Sequence, residues 1–152
     1  MALFGTSILP RGDSKESRPS NSIRFSNFPK RTRALLSIRP PYAEAIFCGE
    51  KRFEFRRTPF RQSVDIVIVY ITSPVCQVVG EFDVEEVLSD SVARLWSRTS
   101  NYAGIKRSLF FEYFSGCHVG HAIAIGNVRR YTRPLDLATT FGVRPPQSFV
   151  YV

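Results

Sequence analysis

Lys51, Glu54 and Arg56 stand within six residues of one another and are the strongest candidates for chemistry in this chain. A lysine can grip a phosphate, or act as a base where burial lowers its pKa. A guanidinium can fork onto a phosphate or hold a carboxylate in place. In the run GEKRFEFRR, a period-two strand puts Phe53 and Phe55 on one face and Glu54 and Arg56 on the other. Lys51 is an odd number of residues from Glu54, so the two converge only if Lys51 still belongs to a turn after Gly49. On local pattern alone this is an exposed edge strand whose charges pair with one another, each pair contributing at most about 1 kcal/mol. A buried carboxylate takes the nearest cation, so Glu54 is expected to pair with Lys51 and keep it protonated. If Arg56 neutralises Glu54 instead, Lys51 titrates near neutrality and can serve as a base.

Other combinations carry less. Cys117, His118 and His121 invite a zinc reading, but a strand points the two histidines to opposite faces and no fourth ligand is evident. Glu81, Asp83 and Glu85 share one strand face, which reads as solvated more readily than as a cation site. Cys48 falls inside a helical stretch and is expected to be a small core residue. With no Ser-His-Asp arrangement and no phosphate-cradling glycine loop, no metal or cofactor is expected.

The elements around the charged run follow from its neighbours. Leu35, Leu36 and Ile38 form a short strand that Pro40 and Pro41 terminate, and the same prolines can open a helix. Ala43, Ile46 and Phe47 recur at helical spacing, with Gly49 as the stop. Val64–Ile71 is apolar on both faces, as in a central strand. Cys76–Leu88 reads as a long strand after a turn at Pro74. Ser89–Ser97 and Ile105–Phe114 read as short helices, the second supplying Leu109, Phe110, Tyr113 and Phe114 to cover a barrel end. Val119–Val128 reads as a strand broken by Gly120 and Gly126, with Arg129, Arg130 and Arg133 beyond it. Leu135–Phe141 is a turn or short helix, and Phe149–Val152 a closing strand.

A chain of 152 residues, 43% apolar, is the size of one domain with a proper core. Three cysteines make no disulfide framework, which fits a reducing, cytoplasmic setting. No apolar run approaches the ~20 residues of a membrane span, so no membrane partner is expected. The net charge of +8 is unevenly placed. Residues 1–33 hold seven Lys or Arg against two Asp or Glu, whereas 34–152 hold fourteen against eleven. Residues 1–33, rich in Ser, Arg, Pro and Asn, read as a disordered basic arm. Their composition also suits an organellar transit peptide or a vector-encoded leader, but MALFGTSIL lacks the basic start of a secretory signal. Residues 34–152, only mildly basic, call for a local anion site and not a broad nucleic-acid face.

Gly49, Lys51, Glu54 and Arg56 together resemble the G-x-K-x-x-E-x-R signature of the ASCH domain, a relative of the PUA, EVE and YTH domains. Three further blocks resemble that family in the right order: Leu36–Pro40 with Tyr42-Ala43, Tyr70–Pro74 with Gly80–Phe82, and Pro145–Phe149. The resemblance covers about residues 34–152. It implies an α+β fold, a small mixed and mostly antiparallel PUA-like β-barrel with two or three covering helices. It also implies a cleft that receives an RNA base, a nucleotide or a modified nucleoside. Ser37, Arg39, Lys51, Glu54 and Arg56 match the motif positions, and Tyr70, Thr72, Ser73, Gln147 and Ser148 match the later blocks. In such a cleft Glu54 could accept an exocyclic amine proton, and Tyr42 or Tyr70 could stack on a base. Some ASCH-like proteins hydrolyse N4-acetylcytidine using a Lys, a Thr and a distant Glu. Here Glu54 stands where those carry the Thr, which removes one member of that catalytic set. Others are ribonucleases, and the domain takes its name from a transcription coactivator component. The expected order is therefore an RNA- or nucleotide-binding module first and a hydrolase with Lys51 and Glu54 catalytic second. A protein-binding adaptor comes last, unsupported by any long exposed apolar stretch. With Lys51 protonated, turnover of neither N4-acetylcytidine nor simple RNA is expected.

Overall fold

The computed structural model describes residues 29–152. In chain order it comprises β1 (Arg33–Ile38), α1 (Pro40–Phe47), β2 (Phe53–Arg56), β3 (Ile66–Ile71), β4 (Gln77–Ser91), α2 (Val92–Thr99), a 3-10 turn (Ser100–Tyr102), α3 (Arg107–Tyr113), β5 (Val119–Leu135), α4 (Leu137–Phe141) and β6 (Phe149–Tyr151). The strands form one six-stranded sheet in the order β2-β5-β4-β3-β1-β6. Only β1 and β3 pair in parallel; the other pairings are antiparallel. Register shifts along β4 and at Val69/Tyr70 act as bulges that bend the long strands, so the sheet curls into a half-barrel. The fold is α+β, a mixed, mostly antiparallel sheet as the sequence suggested, with four α-helices among the described residues.

Strand β3 shows why both its faces are apolar. Val67, Val69 and Ile71 join Leu36 and Ile38 of β1 in a core that Ala43 and Ile46 of α1 close. Ile66, Ile68 and Tyr70 face the other way, onto Leu35 and onto Leu137 of α4. A third core gathers Phe55, Leu95, Phe110, Phe114 and Ala122 beneath α2 and α3. Phe55 meets Phe110 edge-on at 4.9 Å between ring centroids. These rings hold α3 against β2 and so fix one wall of the site described below.

Several expectations need correction. Strand β5 runs unbroken for 17 residues. Gly120 does not interrupt it but admits a neighbour, since a Cβ there would meet the Phe114 ring at 2.7 Å. Strand β4 continues to Ser91, so α2 starts later than the Ser89 expected. Cys48 is exposed, because it caps α1 after the last turn has closed. Arg129 and Arg130, expected beyond the strand, lie within β5 and are engaged in ion pairs. Arg129 pairs with Glu81 and Asp83 at 2.8 and 2.9 Å, pulling the Asp83 carboxyl down to about 2. Arg130 forks onto Glu44.

Residues 1–28 of the expected arm lie outside the described residues. Just before β1, Arg31 pairs with Asp83 at 3.0 Å and the Thr32 amide donates to the Asp65 carboxylate at 2.7 Å.

Candidate functional site

Strand β2 is the sheet edge that the sequence suggested, yet its charges are not exposed. Lys51, Glu54 and Arg56 are 3%, 8% and 7% exposed. Lys51 precedes β2, in the turn that follows α1, which is the condition for it to meet Glu54. The turn is fixed by its own amide, which donates to the Ala45 carbonyl. The Lys51 ammonium donates to the Ala103 carbonyl at 2.8 Å, beyond the 3-10 turn. Gly104 makes this approach possible. It has φ +62, and a Cβ there would lie 2.4 Å from the Lys51 Cβ.

Glu54 is shared unequally. Its Oε1 lies 3.0 Å from Arg56 Nη2, and its Oε2 lies 3.7 Å from Lys51 Nζ. The guanidinium is therefore the nearer cation, opposite to the pairing expected from sequence. Arg56 also donates to the Ser37 carbonyl at 3.3 Å and to the Ser148 carbonyl at 3.4 Å, while its buried Nε has no partner among the described residues. Both its Nη groups are thus engaged in holding Glu54 to β1 and to the segment before β6. Burial pushes the Lys51 pKa below its usual 10.5, Glu54 opposes the shift and Arg56 adds to it. The ammonium also lies 4.6 Å from the Phe55 ring centroid, a contact that favours its charged form.

The triad opens on a cleft of about 440 Å³ between the sheet edge, α1 and α3. Of the residues expected to form a site, Ser37, Arg39, Lys51, Glu54, Arg56 and Gln147 line it together, as does Tyr42. Ser148 meets them through its carbonyl, and the Ser37 hydroxyl donates to the Pro146 carbonyl at 2.7 Å. The other three lie elsewhere. Tyr70 is buried in the core under α4, where it cannot stack on a base in the cleft. Thr72 and Ser73 form the turn after β3, which the Thr72 amide ties to the Ile38 carbonyl.

Helix α3 adds a wall to the site that no motif in the sequence marks. Leu109, Glu112 and Tyr113 of α3, with Ile105 just before it, all line the cleft. Their i, i+4, i+7, i+8 spacing was readable, but it looked like a helix covering a core. The Tyr113 hydroxyl donates to the Phe55 carbonyl at 3.2 Å, and burial raises its pKa.

Metal-ligand chemistry is not assembled here. His121 pairs with the Ser89 hydroxyl at 2.8 Å and Cys117 with Arg57 at 3.2 Å. Among the described residues no group of three or more His, Cys, Asp or Glu could hold a metal ion. None of the described helices is long and apolar enough to cross a membrane. A cavity of about 530 Å³ lies along β4, but Asp65, Glu85 and Glu86 line it without any Lys or Arg. It does not suit a phosphate.

The ASCH domain profile matches residues 36–134. An ASCH domain-containing ribonuclease of Zymomonas mobilis is 30% identical over 133 residues, which make up 84% of this chain and 89% of that protein. The crystal structure of ASCH from the same organism superposes with TM-score 0.74 at 29% identity, covering 79% of this chain and 87% of that one. An ATP synthase subunit alpha of Ureaplasma parvum is 34% identical over 119 residues, or 78% of this chain, but the match spans only 15% of that protein. A match over most of the described residues, in sequence and in fold, leads to one conclusion: the chain belongs to the ASCH domain family.

Proposed function

We propose that this protein binds single-stranded RNA with one nucleotide in the Lys51 cleft and cleaves the chain there. The carrying observation is the 3.0 Å Glu54–Arg56 pair, which leaves Lys51 buried beside a carboxylate already neutralised. The name of the Zymomonas mobilis relative points the same way. A cleft of this size admits a nucleotide only when its base is out of a duplex stack, so the substrate is single-stranded.

In this reading the neutral Lys51 amine takes the proton of a ribose 2′-hydroxyl. The 2′-oxygen bonds to the adjacent phosphorus as the bond from phosphorus to the 5′-oxygen breaks. The departing oxygen takes a proton from water, leaving a 2′,3′-cyclic phosphate and a 5′-hydroxyl. Arg39 is exposed on the cleft wall and joins none of the ion pairs among the described residues, so it meets the phosphate. Arg56 positions Glu54 and does not touch the substrate, because its Nη groups are already committed.

A labelled single-stranded RNA tests this directly. Cleavage to cyclic-phosphate ends, lost in Lys51→Met at unchanged melting temperature, is expected; equal cleavage by the variant contradicts it. A second reading is binding without cleavage, favoured by the Phe55 and Tyr42 rings 4.6 and 5.5 Å from the Lys51 ammonium. It predicts saturable, salt-sensitive RNA binding and no product.

A further inference from the structure

Glu112 is an anomaly in a cleft meant for a polyanion. It stands on an otherwise apolar stripe of α3, flanked in the lining by Leu109 and Tyr113, which are 43% and 39% exposed. Its carboxylate takes part in none of the ion pairs among the described residues, although the lining includes three cations, Arg39, Lys51 and Arg56. A phosphate lodged against it would be repelled. The α3 wall therefore suits the uncharged part of a nucleotide, with the phosphate on the side of Arg39 and Lys51.

We propose that Glu112 selects guanine in the cleft. This rests on the RNA reading above and names the base it takes. A planar base packs on Ile105 and Leu109, and the carboxylate meets its edge. A carboxylate has two acceptor oxygens and no donor, so it is matched by two adjacent N–H groups. The Watson–Crick edge of guanine presents such a pair, N1–H and N2–H. Adenine and cytosine each offer a single amino group beside a ring acceptor that faces the carboxylate unfavourably. Uracil offers one N–H between two carbonyl oxygens. The other two-donor group of a nucleotide, the ribose diol, would give no discrimination among bases.

Binding of GMP, AMP, CMP and UMP, followed by calorimetry or by chemical-shift titration, separates these outcomes. One bidentate pair predicts GMP tighter than the others by about tenfold or more. In Glu112→Gln that preference is lost while AMP affinity is unchanged. Lys51→Met weakens all four alike, so the Lys51 reading and the Glu112 reading fail separately. Equal affinities in the wild type overturn the guanine assignment while leaving RNA binding in place. A uniform loss for all four in Glu112→Gln overturns it in favour of the ribose. Binding of none of the four overturns both readings.

Discussion

Glu54 lies closer to Arg56 than to Lys51, 3.0 Å against 3.7 Å, although it is flanked by both. Two cations share one carboxylate in a place where each is almost completely buried. The group carries a net charge of +1 when Lys51 is protonated, and burial disfavours that state. The site can relieve the excess by binding an anion or by releasing the lysine proton. Both outcomes agree with the phosphodiester chemistry proposed above.

Replacing Glu54 tests this directly. Glu54→Gln leaves two buried cations without a counter-ion, and removing one partner of a buried pair typically costs about 3–5 kcal/mol. Urea unfolding at neutral pH is expected to show a loss of that order. The loss should shrink at alkaline pH, as Lys51 gives up its proton. Unchanged stability would mean that the carboxylate is dispensable to the cluster.

Lys51 also imposes a pH dependence on stability. Its folded pKa lies below the unfolded value of 10.5, so between the two values the unfolded chain binds more protons. The cost of burying the ammonium is fully present below the folded pKa. Stability therefore rises with pH through that window and levels off above 10.5. In Lys51→Met this rise should be missing, while stability near neutrality stays within about 1 kcal/mol because Glu54 keeps Arg56. Unfolding curves of both proteins from neutral to alkaline pH decide it; identical slopes would contradict the direction of the shift.

Gly104 is the residue whose size the site most depends on. Gly104→Ala places a methyl group against the Lys51 side chain and asks alanine to hold φ +62. A cost of about 1–3 kcal/mol is expected from the backbone alone. RNA cleavage should fall by more than the loss of folded protein explains, because Lys51 must move off the Ala103 carbonyl. A variant as active per folded molecule as the wild type would free Lys51 from this constraint.

Much of this arrangement was legible in the sequence, and the limits have physical causes. The strand–helix–turn–strand unit from β1 to β2 follows from prolines, a helical apolar face and a change of period, all local signals. The alternation also put Glu54 and Arg56 on one face. What it could not say was whether that face was wet, since burial at a sheet edge depends on α3, more than fifty residues further on. For the same reason Arg56 came out as Glu54's nearer partner. It is anchored by the Ser37 and Ser148 carbonyls, which only the assembled sheet brings together. Tyr70 faces the core under α4. Its side could not be read from sequence, because a strand buried on both faces gives no hint which side meets the cleft. Glu112 gives no signal in sequence because it shares α3 with other polar residues and stands beside apolar ones that read as core.

The pH–rate profile of single-stranded RNA cleavage tests the role of Lys51 most directly. With Lys51 as the base, the wild-type rate should rise with pH and level off at an apparent pKa below 10.5, the direction in which burial moves this amine. Lys51→Met should lose that limb together with the cleavage. A wild-type rate that is flat with pH, or a Lys51→Met profile that retains the rising limb, would contradict the assignment.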